Sequence, residues 1–149
     1  MPRRILVIDD STLIHKLFQM LFDHTPLVLA GNGAEALRQL GEAPDIDLIF
    51  LDINMPKMNG LEVLAKIKAN PDLAAIPIVI ISTEGKEHDV IRGLQAGAAA
   101  YVKKPFRNEE ILRLVPRLME LYKPAGEAKG SRAAAPVAAA RPASGRGPL

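Results

Sequence analysis

The chain of 149 residues has no cysteine, no tryptophan and only three histidines, and aromatic side chains make up 4% of it. Without cysteine there is no disulfide framework, thiolate metal site or sulfur nucleophile, so stability has to come from packing. His15, His24 and His88 show no metal-ligand spacing and are read as ordinary helix or surface residues. No apolar run approaches the roughly 18 to 20 residues that a membrane span needs. The start, Met1-Pro2-Arg3-Arg4 and a short apolar stretch closed by two aspartates, does not have the form of a signal peptide. A cytoplasmic protein is expected.

Large apolar side chains are also scarce in one region. Residues 125–149 hold nine Ala, four Gly, three Pro and two Ser, too little apolar bulk to offset the entropy of ordering, which predicts a disordered tail. That segment carries a net +3 while residues 1–124 carry −1. The pI near 9.0 therefore belongs to the tail, and the usual inference from a basic pI to nucleic acid or anionic membrane loses its force. The expected organisation is one domain over 1–124, with a single core, and a basic tail over 125–149. So short a low-complexity segment cannot build a DNA-binding or other output domain.

What the domain does have is a regular alternation. Ile5-Leu6-Val7-Ile8 is a continuous apolar run ended by acid, the pattern of a strand buried on both faces of a parallel sheet. Leu27 to Ala30, Leu48 to Leu51, Ile76 to Ile81 and Ala98 to Val102 repeat it, which predicts five strands. Between them lie helical periods: Leu13, Leu17, Met20 and Leu21, taken as core; Ala36, Leu37 and Leu40; Leu61, Leu64, Ile67 and Lys68; Val90, Ile91, Leu94 and Ala98; Ile111, Leu112, Val115, Leu118 and Met119. Five strand–helix repeats imply right-handed crossovers and an α/β fold: a five-stranded parallel sheet with helices on both faces. The order 2-1-3-4-5 is taken from the common small, flavodoxin-like version of that fold, which also places ligands beyond the carboxyl ends of the strands.

The residues at those ends are informative. Run one leads into Asp9-Asp10, run three into Asp52, run four into Ser82-Thr83 and run five into Lys103-Lys104-Pro105. A single acid at such a place commonly does no more than cap a helix, as Asp10 or Ser11 could before Leu13. Three acids, a hydroxyl and a lysine on one edge call for a common cause. Gathered carboxylates repel by roughly 4 kcal/mol per close pair at an effective dielectric near 20, and oxygen ligands without His or Cys favour Mg²⁺. Asp52 can then accept a phosphoryl group, with Lys104 neutralising the transferring oxygens and Ser82 donating to them. Alternation along the strand directs Lys103 to the other face.

The motifs Val7-Ile8-Asp9-Asp10-Ser11, Leu51-Asp52-Ile53-Asn54-Met55-Pro56-Lys57-Met58-Asn59-Gly60-Leu61, Ile81-Ser82-Thr83-Glu84-Gly85 and Ala96-Gly97-Ala98 with Tyr101-Val102-Lys103-Lys104-Pro105-Phe106 closely resemble the receiver domain of bacterial two-component response regulators, from about Arg3 to Tyr122. The resemblance implies that Asp52 is the phosphorylated aspartate. It implies that Asp10, Asp52 and the backbone carbonyl of Asn54 bind Mg²⁺, with Asp9 acting through water. Lys104 matches the lysine of a Lys-Pro pair whose peptide bond is cis in the family, Ser82 the switch hydroxyl and Tyr101 the switch aromatic. It further implies a sensor histidine kinase as phosphodonor and a separate output protein that binds the face of the fourth helix, fifth strand and fifth helix. The only reactions expected of the chain itself are phosphoryl transfer to Asp52 and hydrolysis from it.

Three residues depart from the pattern. Thr83 is larger than the residue common beside the switch hydroxyl and should alter access to the phosphate; Asn59 replaces a frequently acidic turn residue and should be neutral; Pro116 should kink the last helix. The leading expectation is a stand-alone chemotaxis or motility receiver, which the Ser82-Thr83-Glu84-Gly85 stretch supports. A phosphorelay intermediate, a phosphate sink and a phosphorylation-independent adaptor acting through the tail or last helix remain open. An aspartate-nucleophile hydrolase of the haloacid dehalogenase type ranks last, because Asn54 stands where its general acid would be.

Overall fold

A computed structural model describes residues 2–55, 59–83 and 86–122. The proposed tail and the motif residues Pro56, Lys57, Met58, Glu84 and Gly85 lie outside the described residues. The elements run β1 Ile5–Ile8, α1 Thr12–Leu21, β2 Leu27–Ala30, α2 Gly33–Glu42, β3 Leu48–Asp52, α3 Gly60–Ala69, β4 Ile78–Ser82, α4 Glu87–Gln95, β5 Ala100–Lys103 and α5 Asn108–Leu121. All pairings are parallel, in the order β2-β1-β3-β4-β5. Every residue of β1, β3 and β4 is buried, as continuous apolar runs require, whereas edge strand β2 is buried only at Ala30.

The two faces of the sheet carry separate cores. One gathers Leu6, Ile8, Ile49, Leu51 and Ile80 against Ala36, Leu40, Val63, Leu64, Ile67 and Val90 of α2, α3 and α4. The other gathers Ile5, Val7, Phe50, Val79 and Ile81 against Phe18 of α1 and Ile111, Leu114, Val115 and Leu118 of α5. Phe18 anchors the second core, its ring centroid 4.8 Å from Phe50 and 6.1 Å from Phe106. No helix among the described residues is long and apolar enough to cross a membrane.

Some sequence expectations shift. In α1 the expected stripe of Leu13, Leu17, Met20 and Leu21 is displaced: Leu13 and Met20 are 74% and 77% exposed, while Ile14, Phe18, Leu21 and Phe22 face the core. Two apolar stripes overlap in this helix, and the bulkier aromatic one wins the interior. Ile91 and Leu112 are likewise exposed. His15 lies in α1 and is half-buried, with Nε2 buried and without a hydrogen-bond partner among the described residues. β4 begins after Pro77, whose missing N–H suits a strand start. β5 begins at Ala100 because the Ala98 N–H is taken up in closing α4, donating to Gly93 O at 3.0 Å. Gly97 makes that turn at φ +114°, a conformation that favours glycine. Pro116 lies within an unbroken α5 on its exposed side.

The amino-terminal edge is tied by ion pairs. The Arg3 backbone N–H lies 3.1 Å from both Asp47 carboxylate oxygens, and Arg4 Nε donates to both oxygens of Asp45 at 2.9 and 3.0 Å. The Arg4 guanidinium holds the Asp45 carboxyl below its ordinary range. Lys68 Nζ donates to Ala74 O at 2.9 Å, and burial lowers the pKa of this lysine.

Candidate functional site

The parallel sheet brings the strand-end residues to its carboxyl edge, as the sequence predicts. Asp9 directly follows β1 and is held there by its N–H, which donates to Ala30 O at 3.0 Å. Its Oδ1 accepts from the Ser11 N–H at 2.9 Å, and Ser11 Oγ in turn accepts from the Ile14 N–H at 3.2 Å, capping α1. The neighbouring residues thus divide the work: Ser11 caps the helix, leaving Asp9 and Asp10 for the crevice. Asp52 is the last residue of β3 and Ser82 the last of β4. Both are nearly fully buried, and Asp9 is wholly so.

Asp9, Asp10 and Asp52 each offer a carboxylate oxygen, and the three atoms lie within 4.8 Å of one another. Lys104 is the cation that faces them, with Nζ 3.2 Å from Asp9 Oδ2 and 3.7 Å from Asp52 Oδ2. The contact with Asp9 is one of charge, because Asp9 Oδ2 is buried and has no hydrogen-bond partner among the described residues. Among the described residues the cluster therefore holds an orphaned buried oxygen and more negative charge than one ammonium balances. Both features fit an oxygen-ligated divalent cation. Burial raises the Asp52 pKa, Asp9 and Asp10 push it the same way, and the Asn54 N–H and Lys104 oppose them.

Backbone placement fixes the surround. The Lys104 N–H donates to Ser82 O at 2.7 Å, so β4–β5 pairing continues beyond the strands and brings the two residues to the same sheet edge. The Lys104–Pro105 peptide is cis. Lys103 points away from the acids and pairs with Glu87 at 3.5 Å. Tyr101 is half-buried against the core on the α4 side. The Asn54 N–H donates to Asp52 Oδ1 at 2.8 Å, leaving Oδ2 as the oxygen turned toward Lys104. Gly60 opens α3 where a Cβ would overlap Ile53 Cα and sit 2.6 Å from Asp52 O, so only glycine lets the helix start this close to β3.

Two contacts lie outside the sequence expectations. Asn59 Oδ1 accepts from the Leu61 N–H at 2.7 Å and caps α3. The Asn54 side chain accepts from Thr83 across the crevice. An asparagine ahead of Gly60-Leu61 is a usable cap signal; nothing in the spacing of residues 54 and 83 announces the second contact.

The family model described as the response regulator receiver domain matches residues 5–116. A chemotaxis protein CheY homolog of Campylobacter jejuni is 35% identical over 106 residues, covering 69% of this chain and 82% of the relative. Among solved structures, chemotaxis protein CheY4 of Vibrio cholerae is similar at TM-score 0.72 and 28% identity, over 78% of this chain and 98% of that one. The Mn²⁺-bound form of response regulator Rcp1 is similar at TM-score 0.67 and 31% identity, over 81% of this chain and 94% of that one.

Proposed function

The chain belongs to the response regulator receiver domain family, and from that premise we propose that it takes a phosphoryl group onto Asp52 from a phosphohistidine of a sensor kinase, with Mg²⁺ in the acidic pocket. Receivers are signalling proteins and not classical enzymes, and the chemistry here is transfer to and from the protein's own side chain. One observation supports the reading above others: a buried aspartate at a strand end, its Oδ2 turned to Lys104, with two further carboxylates within 4.8 Å.

Asp52 Oδ2 is the proposed nucleophile. It forms a new O–P bond while the P–N bond of the phosphohistidine breaks, and the imidazole leaves with that electron pair and gains a proton. Lys104 balances the transferring equatorial oxygens as a point charge. Asp10, Asp52 and the Asn54 carbonyl would hold Mg²⁺, with Asp9 acting through water. The cation would offset the carboxylate charge and that of the phosphoryl oxygens. Desolvation raises the Asp52 pKa, so loading the pocket with positive charge also keeps the nucleophile ionised.

In this reading the outcome is a conformational signal. Ser82 moves to donate to a phosphoryl oxygen, Tyr101 turns into the space it leaves, and the surface of α4, β5 and α5 changes for a separate output protein. Similarity to chemotaxis proteins over most of their length favours a cytoplasmic chemotaxis or motility pathway. Incubation with Mg²⁺ and acetyl phosphate should label the wild-type chain and leave Asp52→Asn unlabelled. Equal labelling of the two removes the assignment.

A further inference from the structure

Asn54 stands two residues beyond Asp52, and its backbone N–H is the donor to Asp52 Oδ1. Its side chain reaches the other way. Asn54 Oδ1 accepts from both donors of Thr83, the backbone N–H at 3.2 Å and Oγ1 at 3.3 Å. Thr83 immediately follows Ser82, and the N–H in the first bond belongs to the peptide that joins the two. One asparagine therefore links the acceptor carboxylate to the residue that follows β4, beyond the backbone bonds by which the Ile53 N–H meets Ile81 O and the Lys104 N–H meets Ser82 O. The link lies at the exposed rim of the site, and it uses the Asn54 side-chain oxygen, not the backbone carbonyl proposed for the metal.

We infer that this contact is a latch which holds the end of β4 in its unphosphorylated position, making Thr83 a positioning residue that sets how readily the site is occupied. The inference rests on the function proposed above, in which Ser82 travels toward the phosphoryl group. Displacing the Ser82 backbone displaces the Thr83 N–H directly and carries Oγ1 with it, so both bonds to Asn54 are strained or lost together. A contact made in one state only lowers the affinity of any ligand that selects the other state. Thr83 is exposed and water competes for the bonds, so the hydroxyl's share is modest, a factor of about three.

The test uses the full chain with Mg²⁺ and beryllofluoride, a non-covalent phosphoryl mimic, followed by titration calorimetry. Thr83→Val keeps the shape and the backbone N–H but lacks the hydroxyl, and should bind the mimic about threefold more tightly than wild type. Thr83→Ser restores the donor and should return to the wild-type value. In an Asn54→Ala background, which retains the backbone carbonyl, Thr83→Val should add nothing further. A hydroxyl that merely stabilised the fold would lower the melting temperature on removal without changing this affinity. Wild-type affinity in Thr83→Val, the result expected if Ser82 reaches the phosphate by side-chain rotation alone, overturns the latch and leaves the proposed function standing. Failure of the wild-type chain to bind the mimic any better than Asp52→Asn overturns both.

Discussion

At the amino-terminal edge of the sheet Arg3 and Arg4 meet Asp47 and Asp45 one for one, whereas at the carboxyl edge three carboxylates cluster and Lys104 pairs with two of them, Asp9 and Asp52. The first arrangement is open to solvent and neutral by pairs; the second is largely buried and carries an excess of negative charge. Each arginine–aspartate pair closes the gap between the segments before β1 and β3 and leaves nothing for a ligand to do. The carboxyl edge is unbalanced by design of its topology, because every strand of a parallel sheet delivers its last residue to the same place. Charge that is matched serves the fold, and charge left over marks the site.

The contrast can be broken most severely through packing. Gly60→Ala places a methyl group into the Ile53 backbone and should cost about 3 kcal/mol, measured by urea unfolding, while displacing the loop that carries Asn54. Unaltered stability would show that α3 can slide off β3 freely. Next in size is the effect of metal. A hundredfold excess of Mg²⁺ over its dissociation constant should stabilise wild type by about 2.7 kcal/mol, and the Asp9→Asn/Asp10→Asn double variant should lose the response. An equal response in both would place the cation elsewhere.

A smaller effect comes from Asp52. Burial raises its pKa, so its ionised form opposes folding. That penalty is absent below the unfolded value near 3.9, grows as pH rises toward the raised native pKa and is complete above it. Without divalent metal, Asp52→Asn should therefore be more stable than wild type at neutral pH by about 1 kcal/mol, the difference closing as pH falls toward 4. Denaturation curves across that range decide the matter, and a gap independent of pH would refute the cause given. Smallest is the amino-terminal edge. Arg4 lowers the Asp45 pKa, so that pair stabilises above the unfolded carboxylate value and fades as pH falls through the native one. Arg4→Ala should shift the unfolding midpoint only slightly, and the shift should disappear in high salt.

Much of the fold is legible in the sequence because β1, β3 and β4 are buried on both faces and so read as uninterrupted apolar runs. The acids are legible for a related reason, since a charge that ends such a run can only emerge at the strand's carboxyl end. α1 is harder. With Leu13, Ile14, Leu17, Phe18, Met20, Leu21 and Phe22 all apolar, periodicity admits two faces, and only the fit of Phe18 against Phe50 and Phe106 selects between them. The start of β5 is hidden because the Ala98 N–H serves α4, a claim on the backbone that no side chain records. The bridge from Asn54 to Thr83 depends on how two loops approach in space, and residue identity alone does not encode that distance.

The placement of the site on strand ends has a consequence for how such a protein diversifies. Asp9, Asp52, Ser82 and Lys104 are positioned by backbone hydrogen bonds of the sheet and its extensions, and the outward faces of α1, α4 and α5 contribute none of them. Leu13, Met20, Ile91 and Leu112 are exposed and supply no group to the site. Duplicated copies of such a gene could therefore acquire distinct partners through surface change alone, keeping one reaction and insulating one circuit from the next.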